Sequence, residues 1–173
     1  VAGAVRVEVD LKGLAKTEEG LADILGRLKN KRELMARIGQ YMVRSTQMRI
    51  NKTKLDPDGV PWAPLTQATE EIKARDGVHP QDILFHWGTL ANSIYVKWTT
   101  DSTTEVTANT TRYGASKNYA PYMQYGVGRT GGRIKGKSIP ARPFMGISEQ
   151  NKKIIMKMVN SYVMGKSGDE QDR

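Results

Sequence analysis

Ile139 to Ser148, Ile-Pro-Ala-Arg-Pro-Phe-Met-Gly-Ile-Ser, restricts the fold more than any other stretch. Pro140 and Pro143 fix φ and remove backbone donors, so the residues they bracket cannot be helix or central strand. The segment must run extended. Phe144, Met145 and Ile147 supply apolar side chains to bury, Ser148 is a good helix N-cap, and Glu149 suits the positive end of a helix dipole. The pattern predicts a rigid strap that docks on a core and launches a final helix, with Ile154, Ile155, Met158, Val159, Tyr162 and Val163 on one face.

The strap is entered through a loop of opposite character. Gly126, Gly128, Gly131, Gly132 and Gly136 fall among Arg129, Arg133, Lys135 and Lys137, and no acid lies between Val127 and Pro143. This reads as a basic arm that a partner would order. A second basic run, Arg27 to Lys54, holds nine Lys or Arg against the single acid Glu33. The whole chain of 173 residues has a net charge of +9, which draws it to phosphates or to acidic protein surfaces. With no cysteine, it has no disulfide, no thiolate zinc site and no cysteine nucleophile. Apolar runs are only a few residues long, so neither a membrane span nor a signal peptide is expected.

Along the chain, Val5, Val7, Val9 and Leu11 alternate with Arg6, Glu8 and Asp10, the period of a half-buried strand. Leu21, Ile24, Leu25 and Leu28 follow helical spacing. A longer helix is predicted over about Lys31 to Ile50, with Leu34, Ile38, Tyr41, Met42, Ser45 and Met48 on one face and Arg37, Gln40, Arg44 and Gln47 on the other. Asp56-Pro57-Asp58-Gly59 is a turn leading into the proline-fixed piece Pro61-Trp62-Ala63-Pro64, in which Trp62 is a buried anchor whose indole N–H needs a partner. Thr66 can cap a short helix that Gly77 ends. Gly88 to Ser93 suggests a turn or a single helical turn, and Ile94 to Ala108 a threonine-rich β-hairpin. Asn118 to Gly126 should be a short helix bearing Tyr119, Tyr122 and Tyr125.

Three formal motif matches fail on context. Asp56-Pro57-Asp58-Gly59 lacks the further oxygen ligands of a calcium loop. Gly126 to Gly131 fits a dinucleotide fingerprint and Gly131 to Ser138 a P-loop, but each needs a preceding strand and a following helix N-terminus. Pro140 and Pro143 forbid that helix. His79 and His86, seven apart across a proline, share no helix face on which to bind a metal, and no serine has a nucleophile-elbow setting. The residues point to no enzyme, metal or cofactor.

Taken in order, several blocks resemble the phage virion morphogenesis family, which includes tail-completion proteins of contractile-tailed phages and a neck or morphogenesis protein of Mu-like phages. The carriers are Val7-Glu8-Val9-Asp10, Asp56 to Gly59 with Pro61 to Leu65, Gly88 with Leu90 and Ser93, Tyr119-Ala120 with Gln124-Tyr125-Gly126, and Ile139 to Ser148. The chain departs at Thr89, where the family commonly has Arg, and in the loop 127–138, onto which no family role is carried.

The resemblance implies an α+β fold, a small antiparallel sheet with a hairpin packed against two or three helices and extended proline-fixed arms. Length and composition predict one domain over 1–164 with the basic arm inserted at 127–138, and a disordered tail at 165–173. The resemblance also implies a non-enzymatic ring subunit at the phage neck or tail end. The expected partners are copies of itself, in a hexamer or alternatively a dodecamer, and other neck, portal-side and tail proteins, with DNA in the channel as a further candidate. Trp62, Tyr119, Tyr122, Tyr125, Pro140, Pro143 and Phe144 are the expected structural and interface residues. Arg37, Arg44, Arg129, Arg133, Lys135, Lys137 and Arg142 are the expected basic contacts to a partner or DNA. Tail termination and nonspecific DNA binding are the alternatives.

Overall fold

A computed structural model describes residues 11–29, 31–100, 103–108, 118–128 and 138–165, with the side chains of the first helix from residue 19 onward. The described elements are α1 (Leu11–Lys29), α2 (Arg32–Met48) continued by a π-helical turn (Arg49–Thr53), α3 (Gln67–Arg75), α4 (Thr89–Asn92), β1 (Ile94–Thr99), β2 (Thr104–Ala108), α5 (Ala120–Tyr125) and α6 (Glu149–Val163). Helices and a two-stranded antiparallel sheet make this an α+β fold.

The long helix α2 is its axis. Along one side, Gly39 meets the hairpin so closely that a Cβ would lie 2.6 Å from Thr104 Oγ1 and 3.0 Å from Val96, so only glycine permits the contact. Val43, Thr46 and Ile50 continue that buried side. The burial stripe keeps Leu34 and Ile38 of the expected face but is rotated along the rest of the helix: Met48 is exposed, and Gly39, Val43 and Thr46 are inside. Tyr41 and Ser45 lie about 200° round the helix from Gly39 and its successors, and both accept hydrogen bonds from Asn151 of α6. Hairpin and α6 thus flank α2 on opposite sides. α1 packs on α6, where its Arg27 abuts Gly165.

β1 and β2 pair from Ile94↔Ala108 to Thr99↔Thr104, with a bulge at Lys97. Ile94 and Ala108 enter a core completed by Val43, Ile50, Trp62, Leu90, Ala91, Ala120 and Phe144. α3 follows Thr66 and ends before Gly77, which has φ +73°. The expected strand ending at Leu11 is corrected at that residue, which opens α1; residues 5–10 lie outside the described residues, as do 166–173.

Candidate functional site

Four buried or half-buried polar side chains converge on the backbone of the strap, and a fifth, Arg142, reaches out from it. Trp62 is 5 % exposed, and its Nε1–H donates to Pro143 O at 2.8 Å, the partner the sequence said it needed. Arg142 Nε and Nη2 donate to Ala63 O and Pro64 O, each at 2.8 Å, so one guanidinium holds two successive carbonyls of the tryptophan segment. Gln124 Oε1 accepts the amides of Phe144 and Met145 at 3.1 and 3.0 Å, while its Nε2 donates to Met145 O at 3.1 Å. Arg49 Nη1 donates to Phe144 O at 2.6 Å, and Nη2 to Asn151 Oδ1 at 3.3 Å.

Asn151 closes the set. Its backbone N–H donates to Ser148 Oγ and its Oδ1 accepts from Ser148 N, the reciprocal capping box that starts α6. Its Nδ2 also reaches Tyr41 OH and Ser45 Oγ. Phe144, 1 % exposed, fills the core beneath these bonds. Pro57 covers Gly146 so closely that a Cβ would fall 2.5 Å from its Cγ. The amides of Phe144 and Met145 and the carbonyls of Pro143, Phe144 and Met145, which the fold takes from water, are thus each paired, as burial requires.

Burial holds both arginines below the ordinary guanidinium pKa, with Asp56 and Tyr41 acting against that shift at Arg49. Neither has a carboxylate partner among the described ion pairs. Arg142 is therefore corrected from an expected contact to a partner or DNA. It is 7 % exposed, and carbonyls of its own chain take its donors.

Other expected site residues divide by exposure. Tyr122 and Tyr125 stand out from α5, 52 % and 79 % exposed. Tyr119 is half-buried, which raises its phenol pKa. Pro140 is exposed and Pro143 half-buried, while Arg37 and Arg44 are exposed on α2. Arg129, Arg133, Lys135 and Lys137 lie outside the described residues, but their loop has a defined root. Val127 and Ile139 exchange two backbone hydrogen bonds of 2.9 Å. Gly126 lets the chain turn into that root with φ +72°, where a Cβ would strike Ala141 N and Ile139 O at 2.7 Å.

A second feature is an open groove of about 400 Å³ lined by Leu84, Phe85, His86, Trp87, Tyr119 and Met123 among others. Beneath it, the buried Lys73 ammonium donates to the carbonyls of Asp82 and Phe85. His86 Nε2 lies 3.1 Å from Asp76 Oδ2. Among the described residues, no cluster of His, Asp and Glu could hold a metal, and no helix is long and apolar enough to cross a membrane.

The expected residues missed Arg49, Gln124 and Asn151. Arg49 carried a readable signal, since Tyr41, Ser45 and Arg49 recur at four-residue intervals along one side of a helix. Asn151 sits at the third position after the capping Ser148, where Glu or Gln is the usual capping-box partner.

Residues 12–164 match the model of the phage virion morphogenesis family. No curated protein and no solved structure gives a significant match. The matched span contains the fastened strap, the tryptophan segment and the Gln124 clamp, three of the blocks that carried the resemblance in the sequence, while the block Val7 to Asp10 lies before it. The chain belongs to the phage virion morphogenesis family.

Proposed function

We propose that this virion-assembly protein is a non-enzymatic head–tail joining or tail-completion subunit that works as a ring, six-fold in keeping with a contractile tail, with a twelve-fold ring as the alternative. One observation carries the reading. The strap is fastened inside the subunit and clamps α5 through Gln124, so that Tyr122 and Tyr125 project from a rigid support beside the root of the basic loop. Tyrosine offers large contact area at low entropic cost and is enriched at interfaces. The mechanism is mechanical: subunits dock on the end of a finished head or tail and bury this surface.

Electron microscopy of a lysate from the phage with this gene disrupted tests it. Full heads lying apart from tails of normal length are expected; overlong tails would make the protein a tail terminator, and intact virions would overturn both. A nonspecific DNA-binding role is favoured by one observation, the exposure of Arg37 and Arg44 seven residues apart on α2. It requires duplex binding that weakens steeply with salt.

A further inference from the structure

α1 exposes a stripe of leucines. Leu21, Leu25 and Leu28 fall at i, i+4 and i+7, within about 60° of one another round the helix, and all three are exposed. Ile24 and Arg27, on the adjoining side, are half-buried, and Arg27 abuts Gly165 at the end of α6. Leucines at this spacing are the anchors by which an amphipathic helix lies in an apolar groove. The same chain has such a groove. Leu65, Leu84, Phe85, Tyr119 and Met123 line an open trough of about 400 Å³, and Trp87, 68 % exposed, stands at its wall. Its volume falls within the range of about 300–1,000 Å³ that lets a site enclose apolar groups. α5 turns Tyr119 and Met123 toward this groove and Tyr122 and Tyr125 outward, so groove and tyrosine surface are continuous.

Charge and area decide what fills the groove. Residues 17–26, Thr-Glu-Glu-Gly-Leu-Ala-Asp-Ile-Leu-Gly, hold three acids and no base in a chain of net charge +9. An acidic helix segment is drawn to a basic surface, and a second copy of this chain presents one. The margin of the groove has that sign: Lys54, Lys73 and Arg75, three cations, stand against the two carboxylates of Asp76 and Asp82. α1 is about 28 Å long and about 10–12 Å across, so one face offers on the order of 500 Å². Trp87, Tyr122 and Tyr125 are each more than half exposed, and at about 150–250 Å² for a whole aromatic side chain they supply a similar area. The two together reach about 1,000 Å², the size at which a specific interface begins.

We infer that α1 of one copy lies, leucines inward, in the groove beside Phe85, Trp87 and Tyr119 of a second copy. The helix need not leave its own subunit, because Arg27 meets α6 on one side while the leucines face away on the next. Stripe and groove are different surfaces of one chain, so the contact is heterologous. Each subunit gives one helix and receives one, and repetition closes a ring or, if the rotation does not close, grows a filament. The inference rests on the ring reading in taking the occupant to be a second copy, and adds which surfaces of neighbouring copies meet.

Two full-length variants, each altered at an exposed residue, test it by complementation. Leu25→Arg spoils the stripe and leaves the groove; Trp87→Ala spoils the groove and leaves the stripe. Alone, each is expected to self-associate at least about tenfold more weakly in sedimentation velocity, the loss expected of an interface anchor, with circular dichroism and Tm unchanged. Mixed, the intact stripe of one meets the intact groove of the other, so a one-to-one dimer that grows no further is expected. Asp23→Lys and Thr69→Glu, which reverse or add charge beside the stripe and at the groove, form a second pair held to the same outcomes. A mixture that stays monomeric, or a natural chain that is monomeric at its highest soluble concentration, overturns the inference. Rings that persist in both single variants overturn the groove contact and leave the ring reading intact. Natural chains that grow open filaments and never close into rings under the electron microscope, with complementation as expected, sustain the contact and remove the ring.

Discussion

The strap and α1 treat side chains in opposite ways. In the strap, groups that prefer water are inside: Arg142 is 7 % exposed, and the neighbouring Arg49 is 6 % exposed with its donors on Phe144 O and Asn151. On α1, groups that avoid water are outside, with Leu21, Leu25 and Leu28 41–57 % exposed. The strap is fastened within one chain, where its buried side chains and many of its backbone groups find partners. α1 still carries apolar surface whose burial would release free energy. The proline-fixed segment, expected from its sequence to dock on a core and launch a helix, is the weld of the subunit.

Damage to the strap should therefore cost stability, and damage to the α1 face should cost assembly alone. The largest expected effect is at Phe144, the most buried strap side chain. Phe144→Ala should lower the free energy of unfolding by about 3–5 kcal/mol, through lost transfer energy and the cavity left behind. Urea denaturation measures it, and an unchanged midpoint would break the comparison. Next comes Arg49→Met, which keeps the length of the side chain but strands Phe144 O and loosens Asn151. At about 1–3 kcal/mol for each buried group left unpaired, a loss of roughly 2–4 kcal/mol is expected by the same assay. Trp62→Phe keeps most of the buried ring and removes one hydrogen bond, to Pro143 O. It should cost about 1–2 kcal/mol, which thermal unfolding would register.

Lys73 extends the comparison beyond the strap, as a third buried cation held by carbonyls. Burial lowers its pKa from the ordinary 10.5; Asp82 opposes that shift and Lys54 adds to it. The folded protein therefore gives up this proton at lower pH than the unfolded chain. Between the depressed value and 10.5 the unfolded state binds more protons, so stability should rise with pH in that window and fall away as pH drops through the folded value. Denaturant titrations across the alkaline range should show this rise in the natural chain and a shallower one in Lys73→Met.

Local rules made much of this fold legible. Proline restriction placed the strap, glycine placed the ends of α3 and α5, period-two alternation placed the hairpin, and Ser148 placed the start of α6. Two kinds of fact escaped. The rotation of the α2 stripe depends on Gly39, which scores as neither apolar nor polar yet is the point where the hairpin comes closest. The direction of Arg142 depends on a tertiary contact: an arginine between prolines reads as a surface charge until Ala63 O and Pro64 O, some eighty residues earlier, lie within reach. Net charge has the same blind spot. It counts Arg49, Lys73 and Arg142 toward attraction for a partner, although all three face inward.

The smallest expected effect on stability is also the sharpest test of the difference between the two regions. Leu21 and Leu25 lie one turn apart on α1 and are more than half exposed, so Leu21→Gln with Leu25→Gln exchanges apolar for polar surface that water already reaches. Glutamine is close to leucine in helix propensity, and substitutions at exposed sites usually change stability by no more than about 0.5 kcal/mol. Monomer unfolding should therefore be nearly unchanged. If α1 lies against a second copy in the assembly, the same two substitutions place polar groups in an apolar contact. Multimers seen by sedimentation velocity should then weaken or disappear at concentrations where the natural chain forms them. A double variant that unfolds like the natural chain and assembles like it would mean that these leucines are ordinary exposed surface, and that the contrast with the strap concerns folding alone. A variant that unfolds early would mean that α1 is as much a part of the subunit core as the strap is.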